Sequence, residues 1–443
     1  MKHKIITSVG YGNTGSSVVT NLLEEFSNVL PIGGSEFEFL FVHEADGLMD
    51  LYNAFTEGHR LKIDTAIKRF ITLVNTLYFS NPSGPCYSNF FNGTFLNHTK
   101  EFLSDLGIIS WDGYWHRIYE GSIENHIISL YKNKKFKKAL LNSPYSLYEP
   151  YAWTPSYEEK TTMFYSYATP DDFIKAARKY LNSLFDEYDK ECKYEYLMVD
   201  QLLPPYKLDI YTQFFEDIFA IVIDRDPRDL YFANEAFWNS GYIPSNSVES
   251  FIKWIKLSRN YSKESRNVLY LNFEDFIYCY EKTTQKIFDF IGISKDNWTK
   301  KKTCFIPEKS ITNTRTWLRY ELSDEDQYIF ENIQKIESEL KDFLFDYSED
   351  LLHESFEKKK TSITTKIHKQ IASKKVPAIK AITSFAVSST KFVRNGKNTG
   401  IAKQLLFICI FPVDFLKEFA KSVLKYFYYK FLGKKEVIYK SYF

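Results

Sequence analysis

The chain opens on an apolar, β-branched run, Ile5-Ile6-Thr7-Ser8-Val9, that stops at glycine. It then passes through Gly10-Tyr11-Gly12-Asn13-Thr14-Gly15 into a stretch whose apolar residues Val18, Val19, Leu22, Leu23 and Phe26 recur at helical spacing. Branched side chains suit a pleated strand and glycines permit the reversal that follows. Strand, glycine turn and helix in that order begin an α/β unit. The loop then lies at a helix N-terminus, where unpaired N–H groups and the positive end of the helix dipole favour a bound anion.

Three more apolar runs read as strands, at 196–199, 219–223 and 268–273, with helices following the last two from Pro227 and from about Asp275. Strands alternating with helices predict a parallel β-sheet flanked by helices, which binds ligands at the carboxyl ends of its strands. Thr169, Pro170 and Asp171-Asp172 mark the start of a helix running to about Tyr188. Stretches near 81–99 and 142–170, rich in Pro, Gly, Ser and Asn, read as loops. The expected organisation is an α/β body over 1–350, with irregular insertions over about 81–195, and a separate tail over 351–443.

Several chemistries compete for the first loop. Gly10 and Gly15 have the spacing of a Walker A loop, but Ser16 stands where its lysine would reach the β- and γ-phosphates. The same residues spell GxGxxG, with Glu36 near the place of a ribose-binding acid, so a Rossmann-type NAD(P) oxidoreductase is one alternative. A glycine turn without a ligand is another. The third reading uses the hydroxyls of Thr14, Ser16 and Ser17 around Gly15, which can donate to the oxygens of a phosphosulfate without a metal.

A second anion-binding pattern stands at Ile221-Val222-Ile223-Asp224-Arg225-Asp226-Pro227-Arg228-Asp229. A strand delivers Arg225, Asp226 can cap the next helix and Pro227 fits its first turn. Guanidinium groups fit phosphate because they donate two parallel hydrogen bonds. The same arginines could instead pair with Asp224, Asp226 and Asp229.

Together the two segments resemble the sulfotransferases that use 3′-phosphoadenosine-5′-phosphosulfate (PAPS). That family's first loop carries a basic residue and then Ser/Thr-Gly-Ser/Thr-Ser/Thr, and this chain has Asn13-Thr14-Gly15-Ser16-Ser17. Its 3′-phosphate motif, strand, Arg-x-Pro-Arg-Asp and helix, is similar to the segment around Arg225 and Arg228. Leu269-Tyr270-Leu271-Asn272-Phe273-Glu274-Asp275-Phe276 and Thr312-Asn313-Thr314-Arg315-Thr316-Trp317 resemble its later elements. The resemblance covers about residues 1 to 350. It implies a P-loop-like sulfotransferase architecture and sulfuryl transfer from PAPS, leaving PAP, to a hydroxyl or amine of a glycan or lipid-linked glycan, without a metal. The nucleotide would be held by Gly12, Asn13, Thr14, Gly15, Ser16, Ser17, Arg225, Arg228, Asn234 and Arg315. The sequence departs from the family twice. Ala233 occupies the place of a phosphate-binding serine, with Asn234 beside it as a substitute, and Asn13 occupies the place of the basic residue.

An attacking hydroxyl needs a base. In the family this is a Glu or His near the first loop, which implies Glu38 or His43, then Glu36 or Asp46. An amide at Asn13 brings no charge to the leaving phosphate, so Arg315 or Arg319 would supply it, or the chain is a non-catalytic relative that binds PAP.

Composition bounds partners and compartment. The five cysteines are widely spaced with no CxxC pair, which argues against a disulfide framework and a structural zinc site. With no charged region leading into a long apolar stretch, the expectation is a cytoplasmic enzyme. The 18% aromatic share could stack on sugar rings or reflect ordinary usage of Tyr and Phe. The net charge of +1 conceals a basic tail, with about 19 Lys and Arg against about 4 Asp and Glu from Ser355 onward. This basic helical C-terminal extension includes 401–432, where Phe415, Phe419, Val423, Tyr426 and Phe427 recur between lysines. Such a helix predicts peripheral contact with anionic lipid on the inner membrane face. Its alternatives are packing on the body or on a second copy in a homo-oligomer. Nothing in the sequence points to nucleic acid.

Overall fold

The computed structural model describes residues 3–33, 38–79, 86–113, 161–238, 241–260, 265–322, 326–352, 354, 356 and 359–361. Glu36 and the expected interfacial stretch 401–432 lie outside the described residues. The described strands, in chain order, are β1 (Lys4–Gly10), β2 (Val29–Pro31), β3 (Ile109–Gly113), β4 (Thr161–Tyr165), β5 (Tyr196–Asp200), β6 (Ile218–Asp224), β7 (Val268–Asn272), β8 (Tyr320–Leu322) and β9 (Lys359–Thr361).

The chain divides into two compact units. The first comprises Met1–Val42, Asn75–Phe95 and the chain from Asn182 onward. It is built on a five-stranded sheet in the order β2-β5-β1-β6-β7. All four pairings are parallel. This is the α/β architecture expected from the sequence. β1, β5 and β6 are the inner strands and are buried along nearly their whole length, which is why they read as unbroken apolar runs rather than alternating ones. On one face Ile6, Met198, Ile221 and Ile223 pack with Val18, Val19, Leu22 and Leu23 of the loop helix, Ser17–Leu23, and with Ile287, Phe288 and Ile291 of the helix Tyr280–Ile291. That second helix stops where sequence chemistry says it should, at Gly292 with φ 79°.

From β1 the chain turns to the β2 side of the sheet, and from β6 it turns to the β7 side. The crevice between the carboxyl ends of β1 and β6 is therefore the topological switch point, where ligands of open α/β sheets bind. Both sequence loops singled out above begin there.

The second unit comprises His43–Val74 and Leu96–Leu181. An aromatic cluster builds its core, with Phe102 against Phe70, Phe173 and Tyr180 at ring separations of 5.9, 5.6 and 4.9 Å. Its β3 and β4 pair antiparallel, with Asp64 Oδ1 accepting from the Phe164 N–H at 2.7 Å. The 142–170 stretch was expected as loop, and the structure corrects that at Thr161–Tyr165. A helix, Phe95–Asp105, likewise begins inside the other expected loop. The helix Pro170–Tyr188 begins as the sequence indicated: Asp172 N–H donates to Thr169 Oγ1 at 3.2 Å, and Thr169 N–H to Asp172 Oδ2 at 3.0 Å.

Candidate active site

The first loop passes through left-handed backbone at three of the four positions from Gly12 to Gly15. Gly12, Asn13 and Gly15 have φ values of 94°, 54° and 86°, and such turns ahead of a helix N-terminus suit an anion. Gly15 is required twice over: its φ suits only glycine well, and a Cβ there would lie 2.7 Å from Phe273 Cδ2. Thr14 is buried and its hydroxyl accepts from the Tyr11 N–H at 3.2 Å, closing the turn from within. Ser17 is exposed in the first turn of the loop helix. Asn13 Nδ2 is buried and has no hydrogen-bond partner.

Gln201, which sequence reasoning missed, braces this loop from the end of β5. Its backbone sits at φ 49° and its N–H donates to Ser8 O at 3.0 Å. The side-chain oxygen accepts from the Gly10 N–H at 3.3 Å and the amide donates to Ser16 Oγ at 2.5 Å. One amide thus spans both ends of the loop. A glutamine three residues before a Pro-Pro pair gave no signal, because its partners lie about 185 residues away.

The second loop brings Arg225 to the crevice. It is 4% exposed, donates from Nη1 to Asn13 O at 3.4 Å and from Nη2 to Asn313 O, and lies between the rings of Trp238 and Phe273, 5.4 and 5.3 Å from their centroids. Its Nε is buried with no partner. Arg228 is engaged differently. It donates from Nε and Nη2 to both oxygens of Asp226 at 3.0 and 2.7 Å, and from Nη1 to Glu337 at 2.9 Å, with its guanidinium over Trp317. Asp226 itself caps the helix Pro227–Ala233 through the Arg228 N–H, as the sequence indicated. The helix then widens into a π-turn, Asn234–Trp238, which carries Trp238 over Arg225. Asn234 is buried, with its amide donating to Ser245 Oγ at 2.6 Å.

Arg315 is also enclosed. Its guanidinium donates to Leu351 O, to Glu354 and to the Tyr278 hydroxyl at 3.1 Å. Its backbone N–H and that of Thr316 donate to Asp229 at 2.7 Å each. Burial lifts the Asp229 carboxyl to about 6, with Arg225 drawing it down and Asp226 pushing it up. Glu274, fully buried beside them, is pushed well above the carboxylate range by burial first and by Asp226 and Asp229 next. Arg319 donates from Nε to Thr314 O at 2.8 Å and keeps one buried Nη2 without a partner. Arg259, another residue the sequence did not flag, holds Asp224 by two bonds of 3.1 and 2.8 Å and lies 4.0 Å over the Tyr11 ring. It ties the two loops from the outside.

Of the expected bases, Glu38 lies at the carboxyl end of the sheet in an isolated parallel bridge with Asp200. The residue is exposed as a whole, but its carboxyl is partly desolvated and held above the ordinary range by that burial. His43 and Asp46 belong to the second unit, where Asp46 lies 3.6 Å from Arg69.

No protein-family model matches the chain, and no curated protein matches it. Among solved structures it is similar to the sulfotransferase domain of the Synechococcus PCC 7002 olefin synthase, at 13% identity and a TM-score of 0.31, over 78% of this chain and 95% of that one. It is similar to sulfotransferase STF9 from Mycobacterium avium, at 13% identity and a TM-score of 0.29, over 78% and 77% of the two chains. A third similarity is to retinol dehydratase in complex with androsterone and the inactive cofactor PAP, at 14% identity and a TM-score of 0.23, over 77% and 82%.

Proposed function

We propose that the chain is a sulfotransferase that takes a sulfuryl group from PAPS and passes it to a hydroxyl or amine of a glycan or lipid-linked glycan. The observation that carries this reading is the pair of buried, unpartnered donors at the switch point, Asn13 Nδ2 and Arg225 Nε. Burying polar groups unpaired is costly, on the order of 1–3 kcal/mol each. A nucleotide with two separate anionic groups would satisfy both, one group at the first loop and the other at the second. Arg225 holds a fixed charge on the second loop, which suits a nucleotide with an additional phosphate away from its first. Arg228 and Arg315 support the site by fixing Asp226 and the segment that carries Asn313.

In this reading the loop and helix N-terminus bind the phosphosulfate, Arg225 binds the 3′-phosphate, and Glu38 takes the acceptor proton as the acceptor oxygen attacks sulfur. Of Arg315 and Arg319, Arg319 keeps a buried Nη2 without a partner, which supports it as the cation that replaces the charge Asn13 lacks. A second reading, a non-catalytic PAP-binding relative, is favoured by that same amide at Asn13, and turnover of PAPS separates the two. The expected tail contact with anionic lipid would bring such an enzyme to lipid-linked acceptors.

A thermal-shift measurement tests the nucleotide reading, because a ligand specific to the folded chain raises its stability by mass action. PAP should raise the melting temperature where AMP and NAD do not, and Arg225→Ala should erase most of the difference between PAP and AMP. No shift at saturating PAP would remove the sulfotransferase reading.

A further inference from the structure

The carboxyl end of the sheet holds a second acid against Glu38. The chain after β2 meets β5 twice: Ile32 N–H donates to Met198 O at 2.8 Å, and Phe39 N–H donates to Asp200 O at 3.0 Å. The second contact sets Glu38 in parallel register with Asp200, and residues so paired carry their side chains on the same face of a sheet. That face is the one covered by the loop helix. Ser8, the register partner of Asp200 on β1, donates its hydroxyl to Asp200 Oδ1 and lies 3.5 Å from Thr20 Oγ1 of that helix. Asp200 is thus buried and fixed between Glu38 and Ser8, two residues before Gly10, while Glu38 stands at the exposed rim.

We propose that Asp200 is a positioning residue for Glu38: its carbonyl pins Glu38 at the mouth of the site, and its carboxylate, once ionised, strengthens Glu38 as the base. The inference rests on the sulfotransferase reading for its role in the reaction, though the coupling of the two acids does not. Burial lifts Asp200 to about 6, the Ser8 hydroxyl and the Gln201 N–H draw it down, and the charge of Glu38 pushes it up. Among the described residues, the groups that meet Asp200 from neighbouring elements, Ser8 on β1 and, through it, Thr20 on the loop helix, are neutral. Two interacting carboxyls release their protons in two steps that belong to the pair. When Asp200 ionises, its negative charge raises the affinity of Glu38 for a proton. In the transfer step the acceptor O–S bond forms, the bond from sulfur to the 5′-phosphate oxygen breaks with its electron pair leaving on phosphate, and the acceptor proton moves to Glu38. A more basic Glu38 takes that proton more readily, so kcat/KM should rise through about pH 6, the value to which Asp200 is lifted.

The test is Asp200→Asn, which keeps the shape of the side chain and an oxygen to accept from Ser8. The Glu38 carboxyl carbon, assigned by comparison with Glu38→Gln, is titrated by NMR in the wild-type chain and in D200N. Wild-type Glu38 should show an inflection near pH 6 that is absent from D200N, and the acid limb of kcat/KM should move down by about half a pH unit or more in D200N, with PAP affinity unchanged. In E38Q, a change at an exposed residue, the midpoint of Asp200 should fall. Identical Glu38 titrations in wild type and D200N, or an acid limb that stays put while only the melting temperature changes, would overturn the pair. A displaced titration in a chain that binds PAP without turning over PAPS would uphold the pair and defeat the transfer reaction, so the two failures are distinct.

Discussion

Glu25 shows how much one buried charge can organise. The residue lies just beyond the loop helix, is fully buried, and accepts four hydrogen bonds: from Trp298 Nε1 at 2.7 Å, Lys302 N at 2.9 Å, and Cys304 N and Phe305 N at 3.0 Å each. A buried carboxylate is tolerated only when its lone pairs are met in this way. Glu25→Gln replaces one acceptor oxygen with an NH₂ that faces N–H donors, so two orphaned donors are left and the charge assistance of the others is lost. The expected cost is about 3 kcal/mol, read as a lower urea midpoint at unchanged slope. A loss below about 0.5 kcal/mol would mean that the 298–305 segment holds its shape without this anchor. The sequence did not disclose this role. Glu25 sits in an acidic pair at the end of a helix, where an ordinary solvated charge would look the same, and its partners come from residues more than 270 positions away. The two arginines of the second loop make the same point. Arg225 and Arg228 are equivalent as letters, but only the fold commits Arg228 to Asp226 and Glu337 and leaves a donor of Arg225 open.

Elements were legible in proportion to their burial. β1, β5, β6 and β7 declared themselves because strands in a parallel sheet are apolar on both faces, and the helices from Pro170 and Pro227 did so because cap chemistry is local. β2 gave no signal: it is three residues at the sheet edge ending in Pro31, and proline is tolerated only in such places. β4 was hidden among turn-forming residues, and its identity depends on pairing with β3, which no local pattern reports. The π-turn Asn234–Trp238 was equally silent, since a continuing helical pattern does not reveal one extra residue in a turn. The first loop could be read as anion-binding, whereas its brace, Gln201, could not. Gly15 tests the loop as an element. Gly15→Ala must adopt the left-handed region, at about 1 kcal/mol, and must also displace the Phe273 ring. A loss of roughly 2 kcal/mol or more is expected, together with at least tenfold weaker PAP binding. Adding Phe273→Ala should remove the collision but not the backbone strain, so PAP affinity should return only in part. Full binding in the single G15A variant would show that the loop is not the phosphate cradle.

At the scale of the whole molecule the charge is unevenly laid out, with roughly +15 from Ser355 onward and roughly −14 before it. An acidic body and a basic, aromatic tail suggest different tasks, and a polybasic segment gains on the order of 1 kcal/mol per lysine at an anionic surface. The structure also says where the tail can be cut. Glu354 pairs with Arg315, Phe356 lies 4.7 Å from the Arg315 guanidinium and 4.1 Å from that of Arg319, and Lys359–Thr361 pairs with Tyr320–Leu322. A truncation at 355 would strip Phe356 and the Lys359–Thr361 strand from this region and confound any result. A chain ending at residue 361 keeps them. Among the described residues no helix is long and apolar enough to cross a membrane. The full chain should sediment with vesicles containing phosphatidylserine at low salt, and much less at 0.5 M salt, where the Debye length falls to about 4 Å. The 1–361 chain should stay in solution while keeping its PAP-induced thermal shift. If the full chain ignores anionic vesicles, the lysines between Phe415 and Phe427 serve solubility or a protein contact rather than lipid. If the 1–361 chain loses the PAP shift as well, the tail is a structural part of the nucleotide-binding body.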